Sequence, residues 1–205
     1  MNIILRLEQE KDINSVEQLT RKAFWSDERV EKIGIGCDEH YLAHTLRLAP
    51  EFVKELNFVA EIDGELVGNI MYSLAHVELE DGSLHEVLNF GPLSVLPSFQ
   101  KRGVGSALMR HSLEVAKRLG YGAVIFFGHP TYYPRFGFKE AKEFHITTIE
   151  GKNFPAFMAM ELIEGDLADK QGKFYESPLF EVNSKEAVLY DKQFQNFLID
   201  GEVND

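Results

Sequence analysis

The sequence is poor in cysteine and in basic residues, and each shortage excludes a class of protein. The chain of 205 residues has one cysteine, Cys37, so it forms no internal disulfide and lacks the cysteine clusters of common zinc sites. Lysine and arginine total 21 against 33 aspartates and glutamates, a formal net charge of −12. Because nucleic acids and anionic membranes attract a positive field, we expect neither as a partner.

Long apolar runs are also missing, and we expect no leader segment. The first charged side chain is Arg6, which comes too early for a signal peptide. No run approaches the roughly 18 apolar residues of a membrane span. The chain is nevertheless 44% hydrophobic and has 16 phenylalanines, enough for a sizeable core. We therefore expect a soluble, cytoplasmic protein of one domain, or one domain with an appendage.

The spacing of apolar residues predicts an α/β (α+β) fold with a mostly antiparallel sheet. Helical spacing occurs over residues 12–25, 38–48 and 103–119. Strand patterns occur over 2–7, 58–62, 65–79, 84–95, 122–127, 138–148 and 157–163, with an Asp-Gly turn at 63–64. Residues 84–127 form a strand–helix–strand unit, where a ligand usually binds in an α/β sheet.

The last part of the chain differs in charge. Residues 161–205 hold 11 acidic and 4 basic side chains, and helical propensity appears over 184–197. We therefore predict a domain over residues 1–163, followed by an acidic extension, 164–205, that packs on it.

A glycine loop at the start of the third predicted helix indicates a phosphate site. The loop reads Gln-Lys-Arg-Gly-Val-Gly-Ser over residues 100–106. Glycine lets the backbone approach a ligand, and the first amides of a helix are unpaired donors at the positive end of its dipole. A purely structural turn is the alternative. The P-loop and dinucleotide motifs do not fit, since Gly-Lys-Ser/Thr is missing and Leu108 replaces the third glycine of the dinucleotide motif.

The segments on either side of the loop give a family resemblance. Phe-Gly-Pro-Leu-Ser-Val-Leu-Pro, residues 90–97, precedes it, and Gly-His-Pro-Thr-Tyr-Tyr-Pro-Arg-Phe-Gly-Phe, residues 128–138, follows the next strand. This order resembles the GNAT superfamily of acyl-CoA-dependent N-acyltransferases, and 128–138 is similar to a bacterial branch of predicted N-acetyltransferases. The resemblance extends over residues 2–163 and implies a twisted sheet with helices on both faces and a central cofactor unit.

The resemblance implies acetyl-CoA as co-substrate and an amine of a small molecule or peptide as acceptor, acetylated by direct attack. A coenzyme-A-binding sensor or scaffold without turnover is the alternative. Backbone groups on the last strand before the loop would pair with the pantetheine arm, and an amide near Ser94–Val95 would hold the oxyanion. Tyr133 would protonate the leaving thiolate, with Tyr132 as the competing hydroxyl. The implied cofactor-binding residues are Leu93, Ser94, Val95, Gln100, Lys101, Arg102, Gly103, Val104, Gly105 and Ser106.

The general base and the acceptor pocket have weaker signals. Glu86, on the strand leading to the site, is the candidate base, and a solvated carboxylate is the alternative. Many family members carry an asparagine after the buried strand; here His129 either replaces it or caps a turn. No histidine spacing predicts a metal site, and a homodimer, common in the superfamily, has no sequence signal here. The aromatic candidates for the acceptor wall, which otherwise belong to the core, are Phe24, Trp25, Tyr41 and Phe52.

Overall fold

The computed structural model describes residues 2–194, except the side chain of Ile33, and contains a nine-stranded sheet and five α-helices. The strands are β1 (Ile4–Leu7), β2 (Phe58–Ile62), β3 (Glu65–Leu79), β4 (Leu84–Val95), β5 (Ala123–Phe127), β6 (Lys139–Glu140), β7 (Ile146–Thr147), β8 (Phe157–Glu161) and β9 (Gly172–Tyr175). The helices are α1 (Ile13–Phe24), α2 (Asp27–Ile33), α3 (Glu39–Leu46), α4 (Val104–Arg118) and α5 (Ser184–Asp191).

The sheet is mixed and mostly antiparallel, which confirms the predicted fold class. Its strand order is β1-β2-β3-β4-β5-β8-β6, and β9 pairs with both β3 and β7. Parallel pairing occurs between β4 and β5 and between β7 and β9. Asp63 and Gly64 both have positive φ angles, 49° and 85°, as a two-residue hairpin turn between β2 and β3 requires.

The two faces of the sheet carry separate apolar cores because neighbouring strand residues point to opposite sides. On one face, Leu88, Val124 and Phe126 pack with Leu108 of α4. Their neighbours on the same strands join a second core on the other face. Helix α1 covers that second face, where Thr20 bonds with the side chains of Asn69 and Ser94. Helices therefore lie on both faces, as predicted.

Four segments differ from the sequence-based expectations. Helix α2 was not predicted, because seven residues are too few to show helical periodicity. The strand predicted over 138–148 is wrong: a 3₁₀ turn at Ala141–Phe144 separates β6 from β7, and these pair with different strands. Strand β9 was missed. Helix α5 ends at Asp191, and residues 195–197 of the predicted helix lie outside the described residues.

The C-terminal segment is joined to both the sheet and the helices. Strand β9 pairs with β3 over residues 76–79. The buried side chain of Arg21 in α1 forms an ion pair with Asp191 in α5 at 2.6 Å, and Tyr190 donates a hydrogen bond to Glu17 at 2.7 Å. The boundary between residues 163 and 164 stays a prediction, and residues 195–205 lie outside the description. Within residues 2–194, no helix has the length and apolar character needed to cross a membrane.

Candidate active site

Within residues 2–194, one edge of strand β4 has no strand partner over its second half. Among the described residues, the register between β4 and β5 joins Leu88 to Val124 and no later pair, while β4 continues along β3 to Val95. Ile70 and Tyr72 of β3 pair with Leu93 and Phe90 of β4. The stretch of β4 between these pairs is therefore one residue longer than that of β3, and the extra residue forms a β-bulge. An extended ligand can pair with such an open edge as an added strand would.

A cavity of about 870 Å³ lies beside this open edge and is called the cofactor cavity below. Its volume falls within the range of small-molecule sites. Nine of the predicted site residues line it: Leu93, Val95, Gln100, Lys101, Gly103, Val104, Gly105, Ser106 and Tyr133. The other lining residues are Ala23, Phe24, Phe99, His129, Tyr132 and Arg135. The sequence had indicated His129 as a replacement for the family's asparagine, Tyr132 as the competing hydroxyl and Phe24 as an acceptor-wall candidate. It missed the other three, of which Arg135 lies in the segment quoted for the resemblance, so the motif itself could have indicated it.

The glycine loop leaves space and free amides at the start of α4. Lys101 and Gly103 have positive φ angles of 59° and 91°, so the chain curls tightly before the helix begins. No side chain of the described residues caps α4, which leaves its first amides available to an anion. A Cβ atom at Gly105 would lie 3.1 Å from the Tyr132 hydroxyl and 3.5 Å from Val95. A larger side chain at this position would therefore fill the part of the cofactor cavity beside the glycine loop.

Tyr133 is held by aromatic rings at the inner wall of the cofactor cavity. Its ring centroid lies 4.6 Å from that of Phe126 and 5.6 Å from that of Phe90. Gly128 allows this placement, since a Cβ there would come within 2.5 Å of the Tyr133 ring. Burial raises the pKa of the Tyr133 hydroxyl, and Tyr132 raises it further. The hydroxyl is therefore protonated at neutral pH, as a proton donor must be.

Three predicted site residues do not line this cavity. The Ser94 side chain points to the opposite face, where it donates to the Thr20 hydroxyl at 3.1 Å, so only its backbone remains a candidate for the cofactor. The exposed Arg102 lies over the ring of Phe99 at 5.5 Å. Glu86 lines a different cavity, and its role as the base stays a prediction.

Of the four aromatic residues predicted for the acceptor wall, Phe24 lines the cofactor cavity. The other three have structural contacts instead. Trp25 packs against Arg21, whose guanidinium lies 4.2 Å from the ring centroid. Tyr41 donates a hydrogen bond to Glu186, and Phe52 packs on the core beneath α3. Within the described part of the chain, no group of three or more His, Cys, Asp or Glu side chains could hold a metal ion.

Comparisons with known proteins agree on one family. A family model described as Acetyltransferase (GNAT) domain matches residues 54–140. The uncharacterized N-acetyltransferase YjhQ of Escherichia coli K12 is 39% identical over 85 residues, which cover 41% of this chain and 46% of YjhQ, about half of that protein. The uncharacterized N-acetyltransferase YhbS of the same strain is 29% identical over 140 residues, covering 68% of this chain and 75% of YhbS.

A solved structure extends the likeness to most of the chain. The GNAT family N-acetyltransferase YhbS from E. coli, crystallised in complex with CoA, matches with a TM-score of 0.75 and 25% identity over 88% of this chain and 93% of that chain. This chain is therefore similar to GNAT N-acetyltransferases in sequence over residues 54–140 and in fold over most of its length. A GNAT family acetyltransferase from Brucella melitensis, in complex with acetyl-CoA, matches with a TM-score of 0.65 and 25% identity, over 87% and 98% of the two chains. The resemblance to the GNAT superfamily stated from the sequence is thus confirmed, while the roles of single residues stay predictions.

Proposed function

We propose that this protein transfers the acetyl group of acetyl-CoA to the amine of a small molecule or peptide within a ternary complex. One observation carries the proposal. A single cavity brings together the open edge of β4, the glycine loop at the start of α4 and the Tyr133 hydroxyl. These are the parts needed to hold the pantetheine arm, to hold the pyrophosphate and to protonate the leaving thiol.

The cofactor end of the site is electropositive in an acidic protein. The first amides of α4 and the Lys101 ammonium group are available to the pyrophosphate, and Arg102 lies one residue further along the exposed loop. Backbone groups of residues 93–95 pair with the pantetheine arm, and an amide near Val95 holds the developing oxyanion. A fixed donor of that kind contributes roughly 10²- to 10³-fold in rate in other enzymes.

Direct transfer fits the residues better than a covalent acyl-enzyme. The only cysteine, Cys37, is buried in the loop before α3. Burial raises the pKa of its thiol, and the nearby Glu39 raises it further, so the nucleophilic thiolate is scarce at neutral pH. The amine therefore attacks the thioester carbonyl itself, and Tyr133 donates a proton to the thiolate that leaves.

The proposal is tested by measuring free thiol release from acetyl-CoA with a panel of amines, alongside calorimetric binding of acetyl-CoA. We expect Tyr133→Phe to lose roughly 10²- to 10⁴-fold in turnover, the usual contribution of a proton donor. Its affinity for acetyl-CoA should stay within about twofold of wild type, because the ring and its packing remain.

Two further variants sharpen this test. Tyr121→Phe removes a hydroxyl outside the cofactor cavity and should leave both measurements unchanged. Tyr132→Phe tests the competing hydroxyl: a large loss there, with Tyr133→Phe active, would move the donor role to Tyr132. Binding of acetyl-CoA without thiol release for any amine would instead identify a coenzyme A sensor, and loss of both would contradict the site.

A further inference from the structure

We propose that the acceptor amine enters from the face of the sheet opposite the cofactor cavity, in a pocket completed by the C-terminal segment, where Glu176 accepts its proton. This inference rests on the proposed function and adds to it the acceptor class and the base. It also assigns the base to a residue that the sequence did not single out, in place of Glu86, which lines a neighbouring cavity together with Glu176.

The pocket has a volume of about 420 Å³ and combines aromatic rings with carboxylates. It is called the acidic–aromatic pocket below. Its wall consists of Phe127, Thr148, Ile149, Glu150, Phe154, Phe174, Tyr175, Glu176, Ser177, Pro178 and Glu181. Most of these residues come from two stretches far apart in sequence, 148–154 and 174–181, which the parallel pairing of β7 with β9 brings together.

The alternation of side chains along β4 and β5 places the acidic–aromatic pocket on the face of the sheet opposite Tyr133. At the end of β5, Phe126 contacts the Tyr133 ring on one face, while its neighbour Phe127 lines the acidic–aromatic pocket. On β4, Phe90 packs near Tyr133, while its neighbour Asn89 bonds with Glu176. The two sites are therefore separated by the thickness of the sheet at the place where β4 and β5 stop pairing.

The C-terminal segment also touches β4 at this place. A Cβ atom at Gly91 would lie 3.0 Å from the Phe180 ring, so that ring rests directly on the backbone beside the bulge. The segment around residues 176–181 therefore packs against β4 beside the bulge, on the face to which Asn89 points, and it carries the titratable side chains Glu176 and Glu181.

The environment of Glu176 suits a base. Asn89 Nδ2 donates to Glu176 Oε2 at 2.9 Å, which fixes the carboxylate at the strand opening. Burial raises the pKa of Glu176 to about 7 and the negative charge of Glu181 adds to this, whereas the bond from Asn89 opposes it. A group whose pKa lies near the working pH is both ionised often enough and basic enough to accept a proton. The titratable side chains that line the two cavities next to Glu176 are Glu51, His76, Glu86, Glu150, Tyr175 and Glu181.

The walls of the pocket indicate the class of amine. The Phe127 and Phe154 rings stack at 5.7 Å and are 40% and 41% exposed, which is a flat apolar surface open to solvent. Glu150, Glu176 and Glu181 supply negative charge around it. A primary ammonium group attached to an aromatic body matches both features, since the ring stacks on the phenylalanines while the cation lies at the carboxylates.

The residues named account for every proton that moves in the reaction. The ammonium group gives its first proton to the Glu176 carboxylate, and the free amine nitrogen forms the bond to the carbonyl carbon. As the carbon–sulfur bond breaks, Tyr133 gives its proton to the sulfur, and the nitrogen's second proton returns to Tyr133 through water. Glu176 then releases its proton to solvent, leaving the amide, the free thiol and one proton.

The test is the dependence of kcat/KM on pH for thiol release, with phenylethylamine as acceptor and saturating acetyl-CoA. The wild type should show an acid limb with an apparent pKa of about 7, set by Glu176. Glu176→Gln should lose that limb and roughly 10²-fold in rate at neutral pH, with the remaining activity following ionisation of the amine itself. Glu176→Asp should recover the limb at a lower rate, which a purely structural role would not do.

Two controls separate the base from nearby charges. Glu164→Gln removes the same charge from an exposed position in the same extension and should keep the wild-type profile. If Glu86→Gln, rather than Glu176→Gln, removes the limb, the base is Glu86 and this inference is wrong. A wild-type limb in Glu176→Gln would overturn it as well.

The acceptor class has its own test. Phe154→Ala should raise the KM for phenylethylamine several-fold and leave that for diaminobutane unchanged, since only the first uses the ring wall. A preference for diaminobutane, or an equal effect on both amines, would contradict the assigned class. If no amine at all releases thiol, the proposed function fails together with this inference; if thiol is released and the predicted profiles are missing, only the inference fails.

Discussion

The two sides of the opening between β4 and β5 are built in opposite ways. The cofactor side is basic and glycine-rich, and most of it comes from one continuous stretch between Leu93 and Ser106. The acceptor side is acidic and aromatic, and it collects side chains from Phe127 to Glu181 that meet only in the folded chain. A co-substrate shared by a whole family can be recognised by a local motif, whereas the acceptor side is set by the packing of this particular chain.

The largest expected effect is on the cofactor side alone. Gly105→Trp should abolish detectable binding of acetyl-CoA, because even a Cβ there would lie 3.1 Å from the Tyr132 hydroxyl and an indole would fill the part of the cofactor cavity beside the glycine loop. Calorimetry gives the affinity, and the thermal midpoint shows whether the fold is intact. Binding at wild-type affinity in a folded variant would mean that the cofactor lies elsewhere.

The next-largest effect is expected for the ion pair that joins the C-terminal segment to helix α1. Asp191→Ala leaves the buried Arg21 without its partner at 2.6 Å and should lower the free energy of unfolding by about 3 kcal/mol. Glu186→Ala, on the exposed side of the same helix, should cost less than about 1 kcal/mol. Chemical denaturation measures both, and equal effects would show that the Arg21–Asp191 pair does not anchor the C-terminal segment.

The same pair predicts a dependence of stability on pH. Burial raises the pKa of Asp191, but nearby His40 and Arg21 outweigh it, so the carboxyl pKa lies below its ordinary value in the folded protein. The stabilisation is therefore present above the unfolded pKa of about 4 and is lost as the pH falls through the lowered folded pKa. Unfolding curves of Asp191→Asn should lack this contribution; an unchanged acid dependence would contradict it.

A smaller effect is expected from charge on the cofactor loop. Lys101→Gln should weaken acetyl-CoA binding about threefold to tenfold and make the affinity less sensitive to salt, because one exposed cation near the phosphates is lost. Lys117→Gln makes the same change on α4 outside the cofactor cavity. Equal losses in the two variants would indicate a general field rather than a contact at the loop.

The smallest effect tunes the acceptor side. Glu181→Gln removes a negative charge that helps to raise the pKa of Glu176, so the acid limb of the wild-type profile should move to lower pH. The shift should be a fraction of a pH unit, because burial is the larger cause. A limb that stays in place would separate Glu181 from the titrating group.

Most residues that the sequence predicted for the cofactor line one cavity, because their signals are local; that they bind the cofactor stays a prediction. Gly103 and Gly105 stand at a fixed spacing at the start of α4, and Tyr133 stands four residues before Gly137. Such spacings can be recognised without knowledge of the tertiary fold. Glu176 carried no such signal, since the residues next to it in the sequence form no motif. Its environment comes from the pairing of β9 with β3 and from Asn89, 87 residues away in the chain.

The remaining differences have the same origin. Glu86 was predicted as the base from its place on the strand leading to the site; it lies outside the cofactor cavity, in a cavity that Glu176 also lines, and its role stays a prediction. Strand β9 itself was missed, since four residues next to acidic turns show too little alternation to be recognised. Contacts between segments distant in the sequence thus determine features that local sequence patterns do not predict.

In the proposed arrangement, the two substrates reach the reacting atoms from opposite faces of the sheet. The most direct measurement is a crystal structure with coenzyme A and N-acetylated phenylethylamine, the two products. We predict the pantetheine arm along the open edge of β4, the amide between Tyr133 and Glu176, and the aromatic ring against Phe127 and Phe154. Finding both products within the cofactor cavity, with the acidic–aromatic pocket empty, would contradict the account.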